Sequence, residues 1–253
     1  MKGIVETIYD AQKGAYEIQK VTDTHGEFDI DQAYTYQSEL EDRLIAEGGE
    51  LIGYKMGLTS REKMVQMGIP APIHGFLLRE MLIENGVLSQ EKLIHPKAEP
   101  EIAVMMKTDV QQNASKEELE RAIGWGAPAI EVIDSRFKDF KFTMPDVIAD
   151  NCSSSKFAVG KWVEYSPSGI PIDAIRAKLV INSETRNEGV SSAVLGSPLE
   201  SLYELHLSLA KEGRHLKKGH IVLTGAITMA QRIFAGDAVS NETDLLGTVS
   251  FQA

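Results

Sequence analysis

The sequence Glu99-Pro-Glu101-Ile-Ala-Val104 places two carboxylates one residue apart at the start of an apolar run. The run is typical of a β-strand, in which alternate side chains share a face. Glu99 and Glu101 are therefore expected on one face, with Cα atoms roughly 6.5 Å apart. Two like charges this close repel each other, and burial beside apolar side chains raises the cost. A hard divalent cation such as Mg²⁺ or Mn²⁺ removes both problems, because carboxylate oxygens are its preferred ligands.

A third carboxylate is embedded in a second apolar run. Glu131 lies within Ala129-Ile-Glu-Val-Ile133, which also has the composition of a β-strand. A single glutamate in such a run is usually explained by a half-buried strand whose polar face meets solvent. Three carboxylates embedded in this way favour a shared metal ion over three separate solvent-facing side chains.

Composition and charge limit the class of protein. The chain has 253 residues, of which 43% are hydrophobic and 25% charged, as in ordinary globular domains. A net charge of −11 argues against nucleic-acid and membrane partners, because nucleic acids and anionic membranes need a basic surface. The single cysteine, Cys152, excludes an internal disulfide, and no apolar run approaches the ~20 residues that span a bilayer. These features predict a cytoplasmic protein.

Helices are predicted mainly near the N-terminus. Apolar residues at helical spacing indicate one helix from Ile4 to Ile18 and another from Ile30 to Leu44. Capping patterns indicate three later helices, which cover Glu62 to Met67 or begin near Ser115 and Ser197.

Strand-like segments dominate the remainder, above all in the C-terminal third. Pro100 suggests that its strand lies at an edge, or that the proline stands at the strand's start. We expect an α+β fold and a single catalytic domain over residues 1–253. Within it, residues 1–50 form a helical portion and residues 51–253 a β-rich, metal-binding core.

Two residues outside the glutamate motifs, one at a predicted strand end and one in a predicted loop, could take part in acid–base chemistry. Lys55 ends the strand-like stretch 51–56 and precedes a glycine turn. It could stabilise or protonate an oxyanion, or it could be an ordinary surface lysine. His74 lies in a stretch with the composition of a loop, where it could move a proton, although most loop histidines are simply exposed.

Polar loop residues provide candidate contacts for a substrate. Arg136 could grip a substrate carboxylate or hold a structural one such as Asp134, and the local sequence favours the structural role. Ser153 and Thr228 lie in turns where hydroxyl groups either satisfy the backbone or hold a carboxylate. No phosphate-binding loop, nucleophile elbow or zinc-ligand spacing is present in the sequence. The residues alone indicate a carboxylate-metal enzyme with a nearby lysine.

Several motifs, in order and at similar spacing, resemble the hydratase/decarboxylase branch of the fumarylacetoacetate hydrolase superfamily, over roughly residues 1–250. They are Gly53-Tyr-Lys-Met-Gly-Leu-Thr-Ser60, Glu99-Pro-Glu-Ile-Ala103, Pro128-Ala-Ile-Glu-Val132, Asp134-Ser-Arg136 and Ala149-Asp-Asn-Cys-Ser153. The resemblance implies a mixed, β-rich fold around Mg²⁺ or Mn²⁺, with Glu99, Glu101 and Glu131 as ligands. It also implies that Lys55 lies close to the keto or enol oxygen of the substrate.

The branch contains two activities, and residue 73 helps to separate them. Hydratases of 2-hydroxypenta-2,4-dienoate typically carry an aspartate in the loop that corresponds to Pro72-Ile-His-Gly75. This chain has Ile73 there, and isoleucine cannot move a proton. The loop is more similar to that of the 2-oxo-3-hexenedioate (4-oxalocrotonate) decarboxylases of aromatic catabolism. The resemblance then implies Ile73 as an apolar wall, Asp150 or His74 as a proton donor, and Ser153, Thr228 and Arg136 as holders of substrate carboxylates.

Three other functions stay open at this point. The first is the dienoate hydratase, and the second is a C–C bond hydrolase, for which no His-Glu pair is evident. The third is a weakly catalytic partner subunit, which would have no need for Lys55 and three embedded glutamates. The resemblance further implies a small 2-oxo dicarboxylate as substrate, a homo-oligomer, and a complex with the pathway hydratase.

Overall fold

A computed structural model describes residues 2–60, 64–65 and 71–253. Six α-helices are described from end to end: α1 Ile4–Gly14, α2 Val21–His25, α3 Ile30–Ala46, α4 Lys116–Arg121, α5 Met144–Ala149 and α6 Pro198–Lys211. The described part also contains twelve β-strands: β1 Leu51–Gly57, β2 Ile73–Leu78, β3 Lys97–Met106, β4 Ile123–Ile133, β5 Ser154–Val159, β6 Val163–Glu164, β7 Arg176–Ile181, β8 Glu184–Val190, β9 Ile221–Leu223, β10 Gln231–Arg232, β11 Ala238–Thr243 and β12 Gly247–Gln252.

The strands form two sheets. Eight strands build the larger sheet, in which β2-β1-β9-β3-β4-β5 lie side by side, β10 pairs with β3 and β6 pairs with β4. The other four form a smaller sheet in the order β12-β11-β7-β8. The α+β, strand-rich fold class expected from the sequence is confirmed, while the single-domain division stays a prediction.

The Glu-Pro-Glu motif lies on β3, in the middle of the larger sheet. Its expected position at an edge or a strand start is wrong, because Pro100 is the fourth residue of β3 and faces Ile130 of β4. The Pro100 carbonyl accepts a hydrogen bond from Ile227 N–H, in the loop between β9 and β10. A residue's N–H and C=O point the same way in an antiparallel strand, so the missing proline N–H faces that loop and breaks no bond to β4.

Successive side chains of β3 point to opposite faces of the sheet and pack in two different hydrophobic clusters. Ala103, on the glutamate face, packs in one cluster with Ile8 of α1 and Leu40 of α3. Ile102, on the other face, packs in a second cluster with Leu205 of α6. The N-terminal helices therefore cover the face that carries Glu99 and Glu101.

Several element boundaries differ from those expected. The first helix ends at Gly14, since Ala15 adopts a left-handed conformation (φ 51°), and the short helix α2 was not predicted. Residues 73–75, expected as a loop, belong to β2. The helix expected to begin near Ser115 ends at Arg121, just before β4. Of the helix expected over Glu62 to Met67, the structure describes only residues 64–65, which are helical, and the remainder lies outside the described residues. None of the described helices combines the length and the apolarity that crossing a membrane requires.

Candidate metal centre

Three carboxylates converge where β3 and β4 pair. Glu99 lies directly opposite Glu131 in the strand register, and Glu101 is two residues further along β3 on the same face. One carboxylate oxygen of each residue lies within 4.8 Å of the other two. Glu101 and Glu131 are completely buried. The strand register thus gathers the three glutamates that the sequence suggested as metal ligands.

The electrostatics of this cluster suit a cation. Burial, together with the charges of Glu131 and Glu99, raises the pKa of Glu101 well above its usual range, although Lys55 and the Gly225 N–H oppose the shift. Glu101 Oε2 accepts a hydrogen bond from Gly225 N at 2.7 Å. Its other oxygen, Oε1, is buried and has no hydrogen-bond partner among the described residues. An unpartnered buried carboxylate oxygen in an all-oxygen set fits a hard divalent ion.

Lys55 reaches this cluster from β1. Its Nζ lies 3.0 Å from Glu131 Oε2 and donates a hydrogen bond to the Cys152 carbonyl at 3.3 Å. The side chain is only 3% exposed, so the alternative of a surface lysine is wrong. Burial alone would lower its pKa, but the neighbouring carboxylates, Glu131 above all, raise it above the ordinary value. Lys55 therefore carries its positive charge beside the three glutamates.

Two supporting groups were not identified from the sequence. Ser154 Oγ donates to Glu131 Oε1 at 3.0 Å. Gly225, whose N–H binds Glu101, has φ +117°, and a Cβ at this position would overlap the Thr59 side chain. Ser154 directly follows the candidate Ser153, and Gly225 lies three positions before the candidate Thr228, yet nothing in the sequence marks the partners of Ser154 and Gly225.

Ile73 lies next to the lysine. Its Cγ1 and Lys55 Nζ are 3.3 and 3.6 Å from the point where a Cβ on Gly57 would stand. The Ile73 side chain is buried, and it also lines a groove of about 910 Å³ between α3 and the end of α6. Ile73 therefore places an apolar side chain near the Lys55 ammonium, and its role as a pocket wall stays a prediction.

His74 does not share this location. It follows Ile73 in β2 and so projects from the opposite face of the strand. The expectation of an exposed loop residue is wrong, because His74 is buried, stacks on Tyr34 with ring centroids 4.7 Å apart, and places Nε2 3.2 Å from Glu212 Oε1. These contacts give no support to His74 as a proton donor beside Lys55.

The turn Asn151–Ser153 holds polar groups next to Lys55. Its three residues have φ values of 49°, 52° and 57°. This is the left-handed backbone conformation, which is strained for residues other than glycine. The Asn151 side chain binds both the N–H and the C=O of Phe76, which attaches the turn to β2. Ser153 Oγ is buried and has no hydrogen-bond partner in the described ranges, so it stays a candidate substrate contact.

Thr228 stays a weaker candidate. It is half-buried in the loop between β9 and β10, the loop whose Gly225 N–H binds Glu101. Its hydroxyl makes one long hydrogen bond, 3.5 Å to the Met229 carbonyl, and this weak contact leaves it available to another partner.

Arg136 and Asp150 form a buried ion pair. Arg136 Nε donates to Asp150 Oδ1, Nη1 donates to the carbonyls of Asp134 and Ser154, and Nη2 donates to the Asp150 carbonyl. Both side chains are buried. The local preference for a structural Arg136 is supported, although its carboxylate partner is Asp150 and not Asp134. We propose a positioning role for this pair in place of the substrate-binding and proton-donor roles expected from the sequence.

Comparison with known proteins places the chain in a family. The family model for the fumarylacetoacetate hydrolase C-terminal region matches residues 70–252. The chain belongs to the fumarylacetoacetate hydrolase family. The superfamily resemblance drawn from the motifs is thereby confirmed.

Similar members of the fumarylacetoacetate hydrolase family include two kinds of enzyme. A 4-oxalocrotonate decarboxylase from Pseudomonas putida is 37% identical over 98% of this chain and 94% of the relative. A solved structure of a 4-oxalocrotonate decarboxylase from Pseudomonas putida G7, complexed with magnesium and adipate, has a TM-score of 0.93 at 37% identity, and the match covers 98% of this chain and 95% of that one. A 2-hydroxyhexa-2,4-dienoate hydratase from Comamonas testosteroni is 32% identical over 99% of this chain and 98% of the relative.

Replacing Arg136 with methionine tests its role as the counter-ion of Asp150. Removing one partner of a buried ion pair leaves an uncompensated charge, so Arg136→Met should lower the free energy of unfolding by about 3–5 kcal/mol in urea denaturation. Burial already raises the Asp150 pKa from 3.8 to about 6, although Arg136 opposes this. A carboxyl group with a raised folded-state pKa loses stabilisation as pH rises, so the loss should be larger at about pH 8 than at about pH 5.

Arg186→Met serves as the control, because Arg186 pairs with Glu184 at the surface and should change stability by less than about 1 kcal/mol. Equal losses in the two variants, or a loss from Arg136→Met that does not depend on pH, would contradict the buried-counter-ion role.

Proposed function

We propose that this chain is a divalent-metal-dependent lyase that decarboxylates 2-oxo-3-hexenedioate (4-oxalocrotonate) to 2-hydroxypenta-2,4-dienoate. The observation that carries the proposal is the buried lysine–carboxylate cluster with an apolar residue, Ile73, beside the lysine. Decarboxylases of 4-oxalocrotonate at 35–40% identity support it. The relative solved with adipate, a six-carbon dicarboxylate like the proposed substrate, supports it further.

Glu99, Glu101 and Glu131 would hold Mg²⁺ or Mn²⁺. Their oxygen-only donor set and the unpartnered Glu101 Oε1 fit such an ion. When bound, the ion supplies Lewis-acid stabilisation of the charge that develops on the C2 oxygen of the substrate. Ser154 and the Gly225 N–H orient two of these carboxylates through the hydrogen bonds described above.

Lys55 would stabilise the same oxygen. In the reaction the C5–C6 bond breaks, C6 leaves as CO₂, and the electron pair moves through the conjugated chain to the C2 oxygen. The Lys55 ammonium is held in place by Glu131 and the Cys152 carbonyl before any charge develops. Removing one such preorganised group typically costs ~10²–10³ in rate.

The product explains why one proton donor is enough. Because 2-hydroxypenta-2,4-dienoate is the dienol, a proton is needed only at the C2 oxygen, where we place Lys55. Hydration of the dienoate would in addition require a proton at carbon, close to the position of Ile73, and Ile73 cannot supply one. Asp150 is engaged by Arg136 and His74 projects from the opposite face, so their contacts favour the decarboxylase over the hydratase.

The two ends of the substrate would meet different surroundings. The retained C1 carboxylate would be held by Ser153 and Thr228. The departing C6 carboxylate would lie against Ile73, where poor solvation favours neutral CO₂ over the charged carboxylate. A homo-oligomeric state, a complex with the pathway hydratase and a cytoplasmic location stay predictions.

A paired assay tests the function directly. Purified protein receives 2-oxo-3-hexenedioate in one arm and 2-hydroxypenta-2,4-dienoate in the other, each with Mg²⁺ and then with a chelator. We expect metal-dependent CO₂ release in the first arm and no loss of the dienoate chromophore in the second. Hydration without CO₂ release would overturn the decarboxylase in favour of the hydratase, and activity in neither arm would contradict both.

An Ile73→Asp variant tests the apolar wall. A carboxylate about 4 Å from the departing one repels it by about 4 kcal/mol at an effective dielectric constant near 20. Because this repulsion acts on the bound substrate and fades as neutral CO₂ forms, the KM for 2-oxo-3-hexenedioate should rise by ~10²–10³. Ile73→Leu, which keeps volume and polarity, should stay within a few-fold of the parent. Thermal unfolding of each variant confirms that it is folded. A folded Ile73→Asp variant with the parental KM for 2-oxo-3-hexenedioate would count strongly against the assignment.

A further inference from the structure

Asn241 is a buried polar residue on the side of the larger sheet away from the glutamates. It belongs to β11 of the smaller sheet, where its cross-strand neighbours are Leu179 of β7 and Val249 of β12. The residue is fully buried, while Leu179 and Val249 pack with Ile130 in the core between the two sheets. Burying an amide group in an apolar core costs free energy unless it is hydrogen-bonded, so the presence of Asn241 there calls for an explanation.

The amide of Asn241 bridges the two strands that carry the carboxylates. Its Nδ2 donates to the Glu101 carbonyl at 3.0 Å and to the Ala129 carbonyl at 2.8 Å. Glu101 and Ala129 face each other across β3 and β4. One side chain from the smaller sheet therefore holds the backbone of a proposed metal ligand to that of its partner strand.

The buried amide of Asn241 costs folding free energy, which suggests that it is there to position the strands and not to stabilise the fold. The Oδ1 of Asn241 is buried and has no hydrogen-bond partner in the part of the chain that the structure describes. A buried polar atom without a partner costs free energy, which an apolar side chain of similar volume would avoid. Buried polar groups are known to fix register. A slip of one residue between β3 and β4 would turn one strand's glutamates to the other face.

We propose that Asn241 is a positioning residue for the metal centre. It fixes the register of β3 against β4 at Glu101 and holds the Glu101 backbone, so that Glu99, Glu101 and Glu131 converge on one ion. It acts through the strand backbones, from the opposite face of the sheet, and touches neither metal nor substrate. This inference rests on the proposed metal-dependent function.

The test measures Mg²⁺ affinity and stability separately, on the full chain after treatment with chelator. Asn241→Leu removes both donors at similar volume. We expect its metal-free unfolding temperature to equal or exceed that of the parent, while the Kd for Mg²⁺, measured by calorimetric titration, rises at least tenfold. Asn241→Ser keeps one hydroxyl donor and should lie between parent and leucine variant. In turnover, the Mg²⁺ concentration for half-maximal rate should rise while kcat at saturating Mg²⁺ is retained.

Val249→Ala is the matched control, because Val249 lies opposite Asn241 in the same core. It should lower the unfolding temperature and leave the Kd for Mg²⁺ unchanged. A folded Asn241→Leu variant with parental Mg²⁺ affinity would overturn the positioning role, and so would a failure of both Asn241 variants to fold, which would make the residue purely structural. A parent protein that binds no Mg²⁺ would overturn the metal centre itself, and this inference with it.

Discussion

The convergence of three carboxylates, two of them fully buried and Glu99 half-buried, is the constraint on which the rest of this structure depends. Glu99 and Glu131 face each other across two central strands, and Glu101 stands beside them, all beneath a layer of N-terminal helices. Like charges in such a place repel and are poorly solvated. Lys55 offsets part of the charge, while Gly225 and Ser154 bind single oxygens. A divalent cation would neutralise the negative charge that remains on the glutamates. The proposed chemistry would use the combined positive charge of this cation and Lys55.

Much of the candidate site could be predicted because its signals are local. Alternation along a strand is enough to place Glu99 and Glu101 on one face, and a charge inside an apolar run is enough to single out Glu131. Lys55 stands out because it ends a strand-like run before a glycine turn. The family resemblance adds the metal and the reaction, because it joins five short motifs by order and spacing.

The remaining features depend on contacts between distant segments. Residues 73–75 have the composition of a loop, and their inclusion in β2 follows from pairing with β1 and from the side chain of Asn151, more than seventy positions away. Arg136 could be read as a substrate contact until the buried Asp150 was found to occupy its guanidinium. Asn241 lies 140 positions after Glu101, and no short pattern announces that the two meet. Such pairings follow from tertiary packing, which single-sequence patterns do not encode.

The measurement that tests the central claim most directly is thermal unfolding of the parent and of Glu101→Gln, each with and without Mg²⁺. Replacing one carboxylate by a neutral amide relieves the repulsion, so the metal-free variant should unfold at a higher temperature than the metal-free parent. Mg²⁺ at about 100 times its Kd should stabilise the parent by about 2.7 kcal/mol and leave the variant unchanged. A parent that Mg²⁺ does not stabilise, or a variant that Mg²⁺ stabilises equally, would contradict a cation held by these three glutamates.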